Sequence, residues 1–245
     1  MRASPLLPCV LVAGCLVNRD LYDDRRAALG DDTGGGSWGV GFDSDSDCIS
    51  ADARDLVLDG PFTFDAYLRA AAAPGYAVFP VVAWPGAFAV YQDSDGWLVV
   101  GPTGKPDAST GASSPTSLFD GAYHHVAVTY GQSGYASLYV DGTRLAYASV
   151  DLGTARGDTL YLGCWPDQDA AFRGDIGEAR LSAAAFYSGD FEPEWVPYEV
   201  GSATLALWHL DEGEGTVAHD AVEAAPGRLA GGAWVTFPLE GEPPQ

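Results

Sequence analysis

The sequence predicts an all-β protein with one folded domain. Its 245 residues, 47% of them hydrophobic, can bury a substantial core and lie within the range that one large sandwich occupies. The 31 glycines and 16 prolines interrupt helices, and an aromatic content of 12% suits pleated surfaces. From Trp38 onward, short apolar alternations are separated by turn residues, and no segment shows a sustained helical period.

The charge balance is strongly acidic. Thirty-four acidic residues against 12 basic ones give a formal net charge of -22. Such a chain repels a phosphate backbone, so no nucleic acid partner is expected. An acidic surface can attract divalent cations, and it can equally serve solubility.

Residues 1–14 have the pattern of a signal peptide. A single positive charge precedes an apolar run over 6–13 that is too short to span a bilayer. The segment LVAGC, which ends at Cys15, resembles the bacterial lipobox, in which cleavage follows attachment of lipid to the cysteine sulfur. The resemblance implies an exported lipoprotein that is anchored in the cell envelope or at the cell surface through Cys15 alone. An ordinary signal peptide or a mis-assigned start is the alternative.

The remaining segments follow from composition. Residues 15–37 are polar, charged and rich in glycine, which predicts a flexible tether because such a segment buries too little apolar surface to fold. The predicted β domain covers 38–237, and a disordered tail is expected over 238–245.

Two of the four cysteines are expected to form a disulfide. Cys9 belongs to the peptide that is removed and Cys15 carries the lipid, which leaves Cys48 and Cys164 in an oxidising compartment. In the chain-entropy model, closing so long a loop stabilises the fold by about 4 kcal/mol or more. The alternative is two buried free thiols.

Twelve strands are predicted in order, and Asp141-Gly142 between two of them predicts a tight hairpin because both positions tolerate positive φ. The predicted strands are SWGVGF, FTFDAYLRA, YAVFPVVAW, FAVYQ, GWLVVG, YHHVAVTY, ASLYVDG, TRLAYAS, TLYLGCW, GDIGEARLS, ATLALWHLDE and GGAWVTF.

The alternation within these strands also predicts which face of each strand is buried. Successive side chains point to opposite faces, so one face is aliphatic and the other is aromatic and polar. The opposite face carries Tyr67, Tyr139 and Tyr161. The expected core positions are Phe62, Phe64, Leu68, Val126, Val128, Leu138, Val140, Leu160 and Leu162.

Five segments together resemble laminin G-like domains. FTFDAYLRA, YHHVAVTY, SLYVDGTRLA, LYLG and FRGDIGEARLS follow one another in the order typical of that family. Tyr123 stands where the family usually has Trp, and Gly177 where it usually has Asp, whereas Glu178 and Arg180 match. The resemblance implies a two-sheet antiparallel jelly-roll sandwich of the concanavalin A type.

The resemblance extends over roughly Val40 to Val235, but in an unusual order. LALWHLDEGEGTVAHDAVEAAPGRLAGGAWV is similar to the opening segment of such a domain, yet it stands at the C-terminal end. The sequence therefore predicts one circularly rearranged sandwich. A truncated second repeat is the alternative. It would expose Leu207, Trp208 and their apolar neighbours, so burial favours the first account.

No catalytic site is predicted. The Glu-x-Asp-x-(x)-Glu strand motif, which is expected of sandwich glycosidases, is absent. Glu178 has Asp175 nearby, but this segment matches a structural strand of the family. His124 and His125 are adjacent on a strand and point to opposite faces, so they cannot act on one substrate atom.

Calcium is the one cofactor that the sequence suggests. Asp211 and Asp220 flank glycines in the opener-like segment and can offer hard oxygen ligands. Solvated loop acids are the alternative. The stretch 43–54 begins like an EF-hand but lacks its glycine and its bidentate glutamate. His209 and His219 lack a cysteine at zinc-site spacing.

We expect a binding module for carbohydrate, because aromatic platforms stack on sugars and neighbouring polar groups read hydroxyls. A protein–protein interaction or adhesion module is the alternative, and a divergent glycosidase or lyase is a third reading. The predicted binding residues are Tyr67, Tyr91, Tyr139, Tyr161, Trp165 and Asp167. Each of these aromatic side chains has a competing interpretation as packing between strands.

Overall fold

The computed structural model describes residues 37–71, 78–103, 111–153, 156–168, 170–193 and 197–237. The predicted signal peptide, the lipidation site Cys15, the tether before residue 37 and the C-terminal tail lie outside these residues. In the described part, the regular structure is β apart from one short 3-10 turn, Pro166–Gln168. No helix in this part is long and apolar enough to cross a membrane.

Eighteen strands are found in the described residues. They are β1 Ser37–Phe42, β2 Cys48–Asp52, β3 Phe62–Ala70, β4 Val78–Trp84, β5 Phe88–Asp93, β6 Trp97–Gly101, β7 Ala112–Ser117, β8 Tyr123–Tyr130, β9 Tyr135–Val140, β10 Thr143–Ser149, β11 Thr159–Leu162, β12 Cys164–Trp165, β13 Ala170–Ala171, β14 Gly174–Ser182, β15 Thr204–Trp208, β16 Val217–Ala218, β17 Gly227–Ala230 and β18 Ala233–Phe237.

Two eight-stranded antiparallel sheets form the sandwich. The first sheet has the order β10-β9-β8-β3-β14-β1-β18, and β15 pairs with the C-terminal half of β14 beside β1. The second sheet has the order β16-β17-β2-β11-β4-β5-β6-β7. β12 and β13 form a separate two-stranded sheet. The predicted fold class, an all-β concanavalin A-type sandwich, is confirmed.

The predicted strands match best where alternation is regular. FTFDAYLRA, YHHVAVTY, TRLAYAS and GDIGEARLS are strands over their full length. TLYLGCW is divided at Gly163, whose φ of 72° breaks the extended backbone. β7 was not predicted, because ASSPTS has a proline and no apolar alternation.

The core lies between the two sheets. All nine predicted core positions are buried in one large apolar cluster. The predicted hairpin is also present: Asp141 and Gly142 join β9 to β10 with φ values of 48° and 75°. The Asp141 carboxylate accepts a hydrogen bond from the backbone N–H of His125 at 3.0 Å, which fixes the turn against β8.

The C-terminal strands complete both sheets. β15 pairs with β14, β18 pairs with β1, and β17 pairs with β2. Leu207, Trp208 and Leu210 are fully buried. Ser37 and Phe237 are register partners, so the described domain starts and ends on neighbouring strands. These pairings show that the C-terminal strands belong to the same sandwich. The circular rearrangement relative to the family stays a prediction.

The predicted disulfide is present. Cys48 at the start of β2 is bonded to Cys164 in β12, at a sequence separation of 116 and with 5.1 Å between their Cα atoms. The bond ties the second sheet to the small β12–β13 sheet. Because disulfides persist in oxidising compartments, it indicates an extracytoplasmic protein.

Candidate functional site

Chain segments after β14 cover the outer face of the first sheet. The hydroxyl of Thr63 donates to the carbonyl of Ala184 at 2.8 Å and accepts from the backbone N–H of Phe186 at 3.0 Å. The hydroxyl of Tyr139 donates to the carbonyl of Tyr187 at 3.0 Å. These contacts hold the segment 183–191 against the sheet, so this face is not open to solvent at Thr63 and Tyr139.

Two predicted ligand-binding tyrosines lie beneath this cover. Tyr67 and Tyr139 have 0% exposure. Tyr67 stacks on Tyr198 with 5.5 Å between ring centroids, and Tyr139 packs edge-on against Phe191 at 5.4 Å. Sequence parity placed both side chains on the correct face, but neither ring is exposed there.

The other predicted aromatic residues lie in the second sheet and in the small β12–β13 sheet. Tyr91 and Trp165 are buried, with ring centroids 6.2 Å apart. Tyr161 is half-buried and lies between Ser50 and its other register partner, Ala83. Asp167 is exposed in the 3-10 turn. Of the six predicted residues, only Tyr161 and Asp167 therefore reach solvent.

A buried ion pair lies under the same cover on the first sheet. Arg180 donates from Nε and Nη2 to the two carboxylate oxygens of Asp65, at 3.1 and 3.0 Å. Its guanidinium carbon also lies 4.0 Å from the ring centroid of Tyr198. Burial raises the pKa of Asp65, although the charge of Arg180 opposes that effect. The pair is closed off by aromatic rings, and its role is to hold the cover in place.

Glu178 and His209 form a second buried contact. Oε1 of Glu178 accepts from Nδ1 of His209 and, at 2.8 Å, from the backbone N–H of Tyr198. Burial raises the pKa of Glu178, against the opposing hydrogen bond from His209. Glu178 lies at the irregularity where β14 shifts its register against β3. The sequence matched Glu178 to the family motif but did not indicate its partner, which comes from a distant strand end.

The two adjacent histidines have different surroundings. The ring of His124 contacts Asp141 at 2.7 Å and Asp120 at 3.2 Å. Burial lowers the pKa of His124, but the two carboxylates outweigh that effect and leave it raised. His125 is enclosed among aromatic rings, and burial lowers its pKa to about 3. Both histidines therefore contribute to the architecture, and their pKa values are shifted in opposite directions.

An exposed tyrosine pair lies at the free edge of the first sheet. Tyr135 of β9 and Tyr147 of β10 stack with 4.9 Å between ring centroids and 22° between planes. Their exposures are 39% and 59%. The guanidinium carbon of Arg144 lies 5.5 Å from the Tyr147 ring centroid, and Ser149, the register partner of Tyr135, is exposed. We call these four residues the tyrosine-pair surface.

This surface combines what a sugar requires. Two aromatic rings that are partly open to solvent offer apolar faces and edges for sugar C–H groups, while a guanidinium and a hydroxyl beside them can hydrogen-bond. The surface lies on the same face of the first sheet as Tyr139. It was not among the predicted sites, although both tyrosines stand in predicted strands or beside them.

The fold and the sequence together assign the family. A laminin G family model, described as the concanavalin A-like lectin/glucanases superfamily, matches residues 42–189. The chain belongs to the concanavalin A-like lectin/glucanase superfamily. The match ends before β15, so the C-terminal strands that complete both sheets lie outside the matched residues.

The chain is similar to solved structures at low sequence identity, and the first of these shares its fold. A protein from Bacteroides ovatus, provisionally described as carbohydrate-binding, is 18% identical with a TM-score of 0.64, over 82% of this chain and 60% of that one. A heptameric pentraxin of Limulus polyphemus is 14% identical with a TM-score of 0.46, over 62% of this chain and 78% of that one. This chain thus spans about three-fifths of the Bacteroides protein. No curated protein sequence matches the chain.

The two predicted calcium ligands, Asp211 and Asp220, lie in different surroundings. Asp220 is buried, and its two oxygens accept hydrogen bonds from four backbone N–H groups at 2.8 to 3.0 Å. Asp211 is half-buried in the connection that follows β15. In the described part of the chain, no group of three or more His, Cys, Asp or Glu side chains could hold a metal. Asp220 therefore orders the backbone of its loop, and calcium binding stays a prediction.

Proposed function

We propose that this chain is an exported, lipid-anchored module that binds carbohydrate through the tyrosine-pair surface. The observation that carries the proposal is the stacked and exposed pair of Tyr135 and Tyr147. Isolated exposed aromatic residues are common, but a stacked pair on one sheet face offers an outer ring face and two ring edges that can contact the apolar face of a sugar. The name of the Bacteroides protein, which shares the fold, supports the same ligand class.

The placement of the buried carboxylates supports binding without catalysis. A retaining glycosidase needs two carboxyl groups about 5 to 5.5 Å apart around an accessible bond. Glu178 is fully buried and contacts His209, and Asp65 is fully buried and contacts Arg180. We therefore propose a binding role rather than a hydrolytic one.

Export and anchoring form the second half of the proposal. The Cys48–Cys164 disulfide supports an oxidising compartment, and the lipobox-like segment that ends at Cys15 supports lipid attachment. The module would then present its binding surface outside the membrane. Its ligand would be a glycan in the envelope or the surroundings of a bacterial cell.

A glycan array tests the binding half. The purified protein should bind a defined set of glycans, and the double variant Tyr135→Ala/Tyr147→Ala should lose that signal. Trp97→Ala is the matched control, because Trp97 is 37% exposed but lies on the second sheet. Parallel arrays with and without a calcium chelator test the metal prediction.

The outcomes separate the alternatives. If the double variant binds as strongly as the wild type, the binding site is not the tyrosine-pair surface. If the folded wild type binds no glycan with or without calcium, the carbohydrate proposal is wrong. A protein–protein adhesion module would then be the favoured hypothesis.

A further inference from the structure

The arginines of this acidic protein are mostly paired with carboxylates. Seven arginines stand in the described residues, and five of them form salt bridges with aspartates. These five are Arg54, Arg69, Arg156, Arg173 and Arg180. Within the described ranges, Arg144 and Arg228 have no carboxylate at salt-bridge distance. In a chain with 34 acidic residues, an unpaired arginine is a feature to explain.

Arg144 is held beside the tyrosine pair by contacts that leave its guanidinium without a salt bridge in the described residues. Its Nη1 donates to the carbonyl of Ser188 at 2.9 Å, and its backbone N–H donates to the carboxylate of Asp190 at 2.9 Å. The guanidinium lies over Tyr147. A guanidinium has five N–H donors, and in the described structure only the one on Ser188 has a protein acceptor. Because Arg144 is exposed, the others can meet a ligand.

From this arrangement, and resting on the proposed function, we infer that the tyrosine-pair surface recognises a glycan that carries an isolated carboxylate. A sugar ring that contacts Tyr147 would bring a carboxylate on that ring, or on the next one, to Arg144. The planar guanidinium can bind both oxygens of a carboxylate, which gives directional as well as electrostatic selectivity. Arg144 binds the carboxylate, and Tyr135 and Tyr147 contact the sugar.

The net charge of the whole chain limits how densely charged this glycan can be. At -22, the long-range field repels a polyanion, and the local attraction of one guanidinium acts only at short range. A heavily sulfated or fully carboxylated polymer would therefore be disfavoured. The expected ligand is a largely neutral chain with carboxylates at intervals.

Matched oligosaccharides test this inference. Each pair differs only at C6, where one member has a carboxylate and the other a hydroxymethyl group. The pairs are glucuronic acid and glucose, galacturonic acid and galactose, and mannuronic acid and mannose, each placed once on the same neutral oligosaccharide. Calorimetry should give tighter binding for the acidic member of at least one pair. Arg144→Ala should weaken that binding by about tenfold or more and should weaken binding of the neutral member much less.

Arg228→Ala is the matched control, because it removes the same charge from an exposed, unpaired arginine on the second sheet. It should leave both affinities unchanged. Arg144→Lys keeps the positive charge but lacks the planar pair of N–H donors that binds both carboxylate oxygens. It should therefore keep only part of the selectivity for the acidic sugar. Thermal unfolding of each variant confirms that the domain is intact.

The possible failures are distinguishable. If wild type binds acidic and neutral members equally, or if Arg144→Ala weakens both by the same factor, the carboxylate inference is wrong while carbohydrate binding stands. If Arg228→Ala has the same effect as Arg144→Ala, the selectivity comes from the overall charge and the inference is also wrong. If wild type binds none of the oligosaccharides, the inference fails, and the array decides whether the proposed function fails with it.

Discussion

Asp65 and Arg180 are direct register partners on adjacent strands, and their side chains form a two-bond ion pair beneath the cover of the first sheet. Asp65 is fully buried, so removing it leaves the guanidinium without its counter-ion in a poorly solvated place.

We predict that Asp65→Ala lowers the free energy of unfolding by about 3 to 5 kcal/mol, measured by urea unfolding. Asp52→Ala is the control, because Asp52 pairs with Arg54 at a fully exposed position and should change stability little. Similar losses in the two variants would contradict a special role for the buried pair.

A second prediction concerns the disulfide. Replacing Cys48 and Cys164 together by Ala opens a loop of 116 residues and should cost about 3 to 5 kcal/mol of unfolding free energy. Chemical denaturation of wild type and variant without a reductant measures the loss. Wild-type protein treated with a reductant should approach the variant. An unchanged midpoint in both experiments would show that the bond is not needed for stability.

The third prediction is a pH dependence that arises from His125. Its pKa is lowered to about 3 in the folded state, whereas the unfolded side chain titrates near 6.5. Between these values the unfolded state binds more protons, so stability falls as pH decreases from 6.5 toward 3, by up to about 1.4 kcal/mol per pH unit. His125→Phe should flatten this part of the stability curve.

Urea unfolding at pH 7, 6, 5 and 4 measures the effect as the difference between wild type and variant. His124→Gln is the neighbouring control. The folded pKa of His124 is raised, so its stabilising contribution is complete below pH 6.5 and is lost as pH rises through that pKa. The acid slope should therefore persist in His124→Gln. Its disappearance there would refute the assignment to His125.

The order of the strands gives a fourth prediction. Because Ser37 and Phe237 are register partners, a short linker from 237 to 37 should close the chain without distortion. New ends can be opened between Val200 and Gly201, which are both exposed. This permutant should fold with a thermal midpoint close to that of the parent domain. A permutant opened between Val126 and Ala127, inside β8, should not fold.

A fifth prediction tests the anchor. Cys15→Ser should move the protein from the membrane fraction to the soluble fraction of the expressing bacterium, and it should abolish incorporation of labelled fatty acid. Cys48→Ser is the control, because it also removes a cysteine but should leave the anchor in place. If the Cys15 variant stays in the membrane fraction, the lipobox interpretation is wrong.

The sequence could predict the strands, the faces and the family because these depend on local alternation and on short motifs. Val126, Val128 and Leu138 are core residues as their parity required. Parity cannot show what lies above a face. Tyr67 and Tyr139 are buried by a segment without periodicity, and their contacts with Tyr198 and Phe191 join distant parts of the chain.

The tyrosine pair was missed for a more specific reason. A regular two-residue hairpin at Asp141-Gly142 would pair Ser137 with Ala146 and turn Tyr147 toward the other face. In the structure, a register shift between Arg144 and Ala146 makes Tyr147 the partner of Ser137. One extra residue in β10 therefore places Tyr147 beside Tyr135, and no sequence signal marked that bulge.

The strand order of the first sheet also determines where the proposed binding surface lies relative to the start of the domain. β10, which carries Tyr147, is one edge strand, while β1, which the chain enters at residue 37, lies five strand spacings away, or about 24 Å. The chain therefore enters the first sheet one strand from its β18 edge, whereas the proposed surface lies on the opposite edge strand. The start of the domain and the proposed surface are thus separated by most of the width of the sheet.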